Sequence, residues 1–97
     1  MDTFTLFLAV RPEQPLDDAA LDALTVDLRP GDDGLRVWRE DGRGLLRVAT
    51  EETAEDLESA LGLAQALGAD VVGRCPGTLL EVSAMGDEDS LVWRAVP

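Results

Sequence analysis

The chain has 97 residues, 45% of them apolar and 29% charged, and its formal net charge is −12. That is the composition of one globular domain spanning residues 1–97, with roughly two-thirds of the unfolded surface buried, enough for a core without metal or disulfide staples. The acid excess argues against nucleic acid, where affinity comes largely from Lys and Arg on phosphates, and against docking on an anionic membrane.

Residues 3–10 read as a strand. Phe4, Leu6, Leu8 and Val10 alternate onto one face, and Phe7 and Ala9 onto the other. Apolar residues on both faces mark a central strand. Arg11-Pro12-Glu13-Gln14-Pro15 is a connection, because both prolines break regular pairing. Residues 16–28 read as a helix with Leu21, Leu24 and Leu28 on one stripe, extended by Ala20. Asp17 or Asp18 supplies its cap. Arg29-Pro30-Gly31 stops it, and Gly31-Asp32-Asp33-Gly34 makes a turn. Residues 35–40 and 45–50 read as two strands. Asp41-Gly42-Arg43-Gly44 joins them as a hairpin, since Gly42 and Gly44 can take positive φ.

Residues 53–67 read as the second helix. Thr53 and Asp56 have the spacing of a capping box, and Gly68 is a natural stop. Leu57, Leu61, Ala64 and Leu67 form the buried stripe, widened by Ala60. Gly62 inside this helix costs ~1 kcal/mol against Ala unless a strand packs closely on it. Val71-Val72 reads as a short extended piece. Residues 78–84 and 91–96 read as two strands, with Gly86-Asp87-Glu88-Asp89 as the hairpin between them.

The order is strand, helix, strand, strand, helix, strand, strand. It contains a split β-α-β-β-α-β unit followed by an additional C-terminal strand. Both helices have leucine stripes to bury, and right-handed connections put them on one face of an antiparallel sheet. The expected fold class is therefore α+β, with the first and third strands central. Over residues 3–84 this pattern resembles the ferredoxin-like fold. It looks like the scaffold of small regulatory domains and of dimeric α+β barrel proteins. The resemblance rests on element order, carries no family motif and by itself transfers no function.

Strand alternation directs Leu35, Val37, Leu46 and Val48 toward the helices. Arg36, Trp38 and Arg47 then share the opposite face with Thr5 and Phe7. From the last hairpin, either Glu81 with Ser83 or Leu91 with Trp93 joins them, depending on register. A face carrying Phe7, Trp38 and, in one register, Trp93 is too apolar to stand in water without reason. A second copy of the chain, a small ligand or the last hairpin folded across it would each cover it. Phe7, Arg36, Trp38, Arg47 and Trp93 are the candidate ligand or interface residues.

The chain has no His, Lys, Tyr, Asn or Ile. It therefore supplies no Ser-His or Cys-His nucleophile pair, no imidazole ligand for zinc, no lysine Schiff base and no P-loop lysine. The missing types share relatively AT-rich codons, so a high-GC bacterial genome accounts for the gap and for every basic residue being Arg. No catalytic residue, metal site or cofactor is expected.

Residues 35–49 hold Arg36, Arg39, Arg43 and Arg47 against Glu40 and Asp41. Beside Trp38, Arg36 and Arg47 can grip a carboxylate or phosphate. The simpler reading pairs them with acids across strands. Glu51, Glu52, Glu55, Asp56 and Glu58 crowd the second helix start, where acids complement the helix dipole. Asp32-Asp33 and Asp87-Glu88-Asp89 lack calcium-loop spacing and read as polar turns. Glu81 is the acid placed mid-strand, where an arginine partner makes it a structural pair. The single cysteine, Cys75, excludes an internal disulfide. Arg74 beside it can lower its thiol pKa, while the simpler reading is a small half-buried turn residue.

Three functional expectations follow. The first is a small non-enzymatic association or regulatory module, homodimeric through the sheet face around Phe7, Trp38, Arg36 and Arg47. The second is an acidic inhibitor or immunity-type protein that neutralises a basic protein partner. The third is a binder of a small anionic ligand, or a weak enzyme, using the Arg and Trp face. Met1-Asp2-Thr3 lacks the basic start of a secretory signal, and no apolar run nears the ~20 residues of a membrane span. The expected setting is the cytoplasm.

Overall fold

A computed structural model describes residues 2–28, 34–40 and 44–95. Its elements are β1 (Asp2–Pro12), α1 (Asp18–Leu28), β2 (Arg36–Glu40), β3 (Leu45–Ala54), α2 (Leu57–Arg74), β4 (Gly77–Met85) and β5 (Ser90–Arg94). The five strands make one sheet in the order β2-β3-β1-β4-β5, and every neighbouring pair is antiparallel. This order fits the split β-α-β-β-α-β pattern, with β5 added outside β4. β1 and β3 are interior strands, as their two-sided apolar sequences require.

Both helices lie on one face of the sheet. One buried cluster joins Leu6, Leu8, Val10, Val48 and Val82 from the strands to Leu24 and Leu28 of α1 and Ala60, Ala64, Leu67 and Val71 of α2. Asp17 is the residue that caps α1, its Oδ1 accepting from the Ala20 N–H at 2.8 Å. Arg39 ties this helix start to β2, donating to the Leu16 carbonyl at 2.8 Å and to Asp18 Oδ1 at 2.7 Å. Among the described residues no helix is long and apolar enough to cross a membrane.

The second half of the chain departs from the sequence expectation at three points. β3 runs on to Ala54 because Glu51, Glu52 and Thr53 continue its pairing opposite Thr5, Phe4 and Thr3. Thr53 is therefore a strand residue, and the capping box does not form. Asp56 alone caps α2, its side chain accepting from the Ser59 N–H at 2.8 Å. Gly68 does not stop α2, which continues to Arg74. The helix passes close over β4 there, and a Cβ at Gly68 would meet Leu79 Cδ2 at 2.8 Å. Val71 and Val72 are helical rather than extended, with Val71 fully buried in the stripe that Ala60, Ala64 and Leu67 begin. Gly62 is exposed, and nothing lies within 4 Å of a Cβ placed there.

Gly44 takes φ 67, as the hairpin chemistry requires. The rest of that turn, Asp41-Gly42-Arg43, lies outside the described residues, as do Arg29 to Asp33 of the turn after α1. The last hairpin closes where expected, with the Gly86 N–H donating to the Asp89 carbonyl at 2.8 Å.

Candidate interface on the open sheet face

The face turned away from the helices is built by alternation along each strand. Arg36, Trp38 and Glu40 come from β2, and Leu45, Arg47, Ala49 and Glu51 from β3. β1 adds Thr5, Phe7, Ala9 and Arg11, β4 adds Glu81, Ser83 and Met85, and β5 adds Ser90, Val92 and Arg94. Cross-strand register arranges them in rows. One row runs Trp38, Arg47, Ala9, Glu81, Arg94, and the next runs Arg36, Ala49, Phe7, Ser83, Val92. Phe7 and Ala9 thus sit at the middle of a five-strand surface.

The sequence reading brings Phe7, Arg36, Trp38 and Arg47 together, and the structure places all four on this face. Trp93 is not with them. It pairs with Val82, a core residue, and so lies on the helix-bearing side at the β5 edge. The register that joins Glu81 and Ser83 to the open face is the one adopted. Its cause is an irregularity in the β1–β4 pairing, where Ala9 faces Glu81 but Val10 faces Leu79. Leu80 is the extra residue, a β-bulge that resets the alternation of β4. Met85 and Val92 are open-face residues that sequence reasoning missed. Ser90-Leu91-Val92-Trp93-Arg94 is apolar on both faces, so only the register decides which side each residue takes.

Two ion pairs hold charges on this face. Arg47 donates through Nε at 3.0 Å and Nη2 at 2.8 Å, both to Glu40 Oε2. Arg94 Nε stands 3.6 Å from Glu81 Oε2, a looser ion pair. These are the structural pairs anticipated for Arg47 and Glu81. Arg36, Arg11 and Glu51 have no ion pair among the described residues. Between the charges the surface is apolar: Trp38 is 41%, Met85 49% and Val92 48% exposed. Ala9, Ala49 and Ser83 are buried beneath their larger neighbours, which leaves a low centre around Phe7. A groove that touches Arg36 and Trp38 takes its other walls from Thr25, Leu35 and Val37 and brings in no second cation.

Two other places hold reactive or charged groups. Cys75 is the buried C-cap of α2 and lines a groove with Pro15, Ala20, Leu24 and Pro76. Burial pushes its thiol pKa up. The neighbouring Arg74 does not lower it, because its guanidinium is turned to Asp70 at 3.1 Å. At the far end of the sheet, Asp2, Glu55, Asp56, Asp87, Glu88 and Asp89 line an acidic cleft. The acidic run 51–58 is divided by the fold. Glu51 faces the open side, Glu52 pairs opposite the core residue Phe4, and Glu55, Asp56 and Glu58 surround the α2 start. The two hydrogen bonds from Ser59, backbone first, hold the Asp56 carboxyl below the ordinary aspartate range. Among the described residues no three Cys, Asp or Glu side chains are grouped to hold a metal ion.

No protein-family model and no characterised protein sequence matches the chain.

Proposed function

We propose that this chain is an association module that works as a homodimer, without a catalytic centre of its own, and that the open sheet face is the contact surface. The observation that carries the proposal is the contrast between the two faces. The helix layer and its capping turns display Asp17, Asp18, Asp22, Asp27, Asp56 and Glu58. The open face instead balances arginines with glutamates and gathers the exposed Trp38, Met85 and Val92 on one sheet surface with Phe7, whereas the exposed Val26, Leu63 and Trp93 of the other side belong to three separate elements. Two molecules of net charge −12 repel over most of their surfaces. On the open face that repulsion is absent, and apolar burial supplies attraction. Among the described residues of this face only Arg36 and Arg11 lack an acid partner, and they stand two strands apart in different rows, which weighs against a shared anionic-ligand site. The all-Arg basic set and the single buried cysteine support a setting in the cytoplasm of a high-GC bacterium.

Light scattering on a gel-filtered sample at high micromolar concentration tests the proposal. It should give a mass near twice 10.4 kDa. A mass of 10.4 kDa under those conditions removes it.

The acidic cleft supports a second reading, an inhibitor that covers a basic protein partner. Six carboxylates in one cleft favour a cationic surface by long-range attraction that weakens with salt. Under this reading, binding of the partner falls steeply with ionic strength and is lost when Asp87, Glu88 and Asp89 are changed to Asn, Gln and Asn. Salt-insensitive binding counts against it.

A further inference from the structure

The row through the centre of the open face has a property that the dimer reading does not require. Read from β2 to β5 it is Trp38, Arg47, Ala9, Glu81, Arg94. Reflected about β1, every charged or aromatic position meets a complementary one. Arg47 exchanges with Glu81, and Trp38 exchanges with Arg94. The next row, Arg36, Ala49, Phe7, Ser83, Val92, puts Phe7 on the same line and exchanges two small buried residues, Ala49 and Ser83.

A two-fold axis lying between two facing sheets and running parallel to β1 performs this exchange. We infer that a second copy docks on the open face about such an axis, so that Arg47 meets the partner's Glu81 and Trp38 lies under the partner's Arg94. The inference rests on the homodimer reading and adds its orientation and its specificity-determining residues. The other in-plane axis, running across the strands, places Arg47 over its own copy and Glu81 over its own copy. Like charges brought together repel, and this second axis superposes Arg47, Glu81 and Arg94 on their own copies, whereas the axis along β1 superposes only Arg11, at the end of the strand, so the axis along β1 is favoured.

The side chains have the capacity for the exchange. Arg47 spends two donors on one oxygen of Glu40 and keeps its remaining guanidinium N–H groups. Glu81 is held by Arg94 only at 3.6 Å, so its carboxylate can still accept from the partner. Each copy then contributes to a chain of alternating charge, Glu40 to Arg47 to the partner's Glu81 to the partner's Arg94, ending on Trp38 as a cation–π contact. Two such chains flank the Phe7 pair. Small residues at Ala49 and Ser83 let the sheets approach beside it. Strands about 4.8 Å apart at about 3.3 Å per residue, with β2 and β5 shorter than the three strands between them, give a flat area on the order of 600 Å². Side-chain relief brings this close to the ~800 Å² per partner of a stable interface.

Charge reversal tests the orientation separately from the dimer itself. Arg47→Glu alone puts two acids together at both contacts, and Glu81→Arg alone puts two arginines together at both. Each should weaken dimerisation about tenfold or more. Mixed in equal amounts, the two variants should form a heterodimer of near wild-type affinity, because every contact then joins opposite charges. Within one chain the two positions are two strands apart, about 9.6 Å, so the rescue arises across the interface. A wild-type monomer overturns both the dimer and its orientation. A wild-type dimer that neither reversal weakens, or that both weaken without rescue on mixing, overturns the orientation alone. If a reversal unfolds the chain, as circular dichroism would show, Arg47→Gln and Glu81→Gln give the same answer as a double-mutant cycle. The double variant then loses clearly less than the product of the two single losses, and a simple product overturns the orientation.

Discussion

Gly77 lies so close to the backbone of Arg11 that no side chain fits between them. A Cβ there would fall on the Arg11 carbonyl oxygen and stand 2.8 Å from Pro12 Cα. The contact follows from register, since Pro12 pairs with Gly77 and Arg11 with Thr78 as β4 begins. A hydrogen bond from the Glu13 N–H to the Pro76 carbonyl at 2.9 Å fastens the same corner. β4 thus enters the sheet at a fixed position, and the bulge at Leu80 then sets which residues reach the open face. Gly77→Ala should destabilise the protein by about 1–3 kcal/mol, because backbone rather than a movable side chain must give way. Urea denaturation measures this. An unchanged midpoint would show that the corner is looser than its geometry.

The glycines of α2 should behave differently from one another. Gly62 is exposed with open space around it, so Gly62→Ala should stabilise by ~1 kcal/mol through helix propensity alone. Gly68 is buried against Leu79, and an added methyl must push the Leu79 side chain aside. Gly68→Ala should therefore gain clearly less than Gly62→Ala, or lose stability. Equal gains from the two substitutions would mean that α2 does not approach β4 as closely as described.

Thr50 carries the one buried hydroxyl of the described core strands that finds no partner. It faces the helix side opposite Leu6, with Oγ1 sealed from water. A buried hydroxyl without a hydrogen bond costs about 1–3 kcal/mol on mutational scales. Thr50→Val keeps the branched shape and removes that cost, so it should raise stability by ~1 kcal/mol. Thr50→Ser keeps the hydroxyl and removes the methyl, so it should lower stability. Thermal melts of the two variants should move in opposite directions.

Asp56 should give α2 an acid-sensitive anchor. Its folded pKa is lowered by the Ser59 hydrogen bonds, so the carboxylate binds its proton more weakly in the folded chain than in the unfolded one. The stabilisation is fully present above the ordinary aspartate range and disappears as the pH falls through the lower, folded value. Asp56→Asn retains a capping side chain but has no proton to take up. Its melting temperature should fall less steeply than wild type through the acid range. Parallel curves for the two proteins would remove Asp56 from the acid transition.

The elements that the sequence displays most clearly are those whose faces are set by local periodicity. β1 alternates cleanly from Phe4 to Val10, and its central place in the sheet follows from apolar residues on both sides. The four open-face residues Phe7, Arg36, Trp38 and Arg47 were legible for the same reason, since β1, β2 and β3 pair without a bulge between them. What local pattern did not carry was decided by contacts distant in sequence. Gly68 resembles a helix stop, and only the nearness of Leu79 shows it to be a close approach. Thr53 and Asp56 have capping-box spacing, but Thr53 pairs with Thr3, half the chain away. The place of Trp93 depended on one extra residue at Leu80, which shifts β4 and with it the whole of β5.

Sedimentation equilibrium of the wild-type chain, from low to high micromolar concentration and beside Trp38→Glu, tests the self-association through the open face most directly. The wild type should approach twice 10.4 kDa as concentration rises, while Trp38→Glu, folded by circular dichroism, should remain near 10.4 kDa. A wild-type chain that stays at 10.4 kDa throughout, or a Trp38→Glu variant that associates as tightly as wild type, would contradict the account.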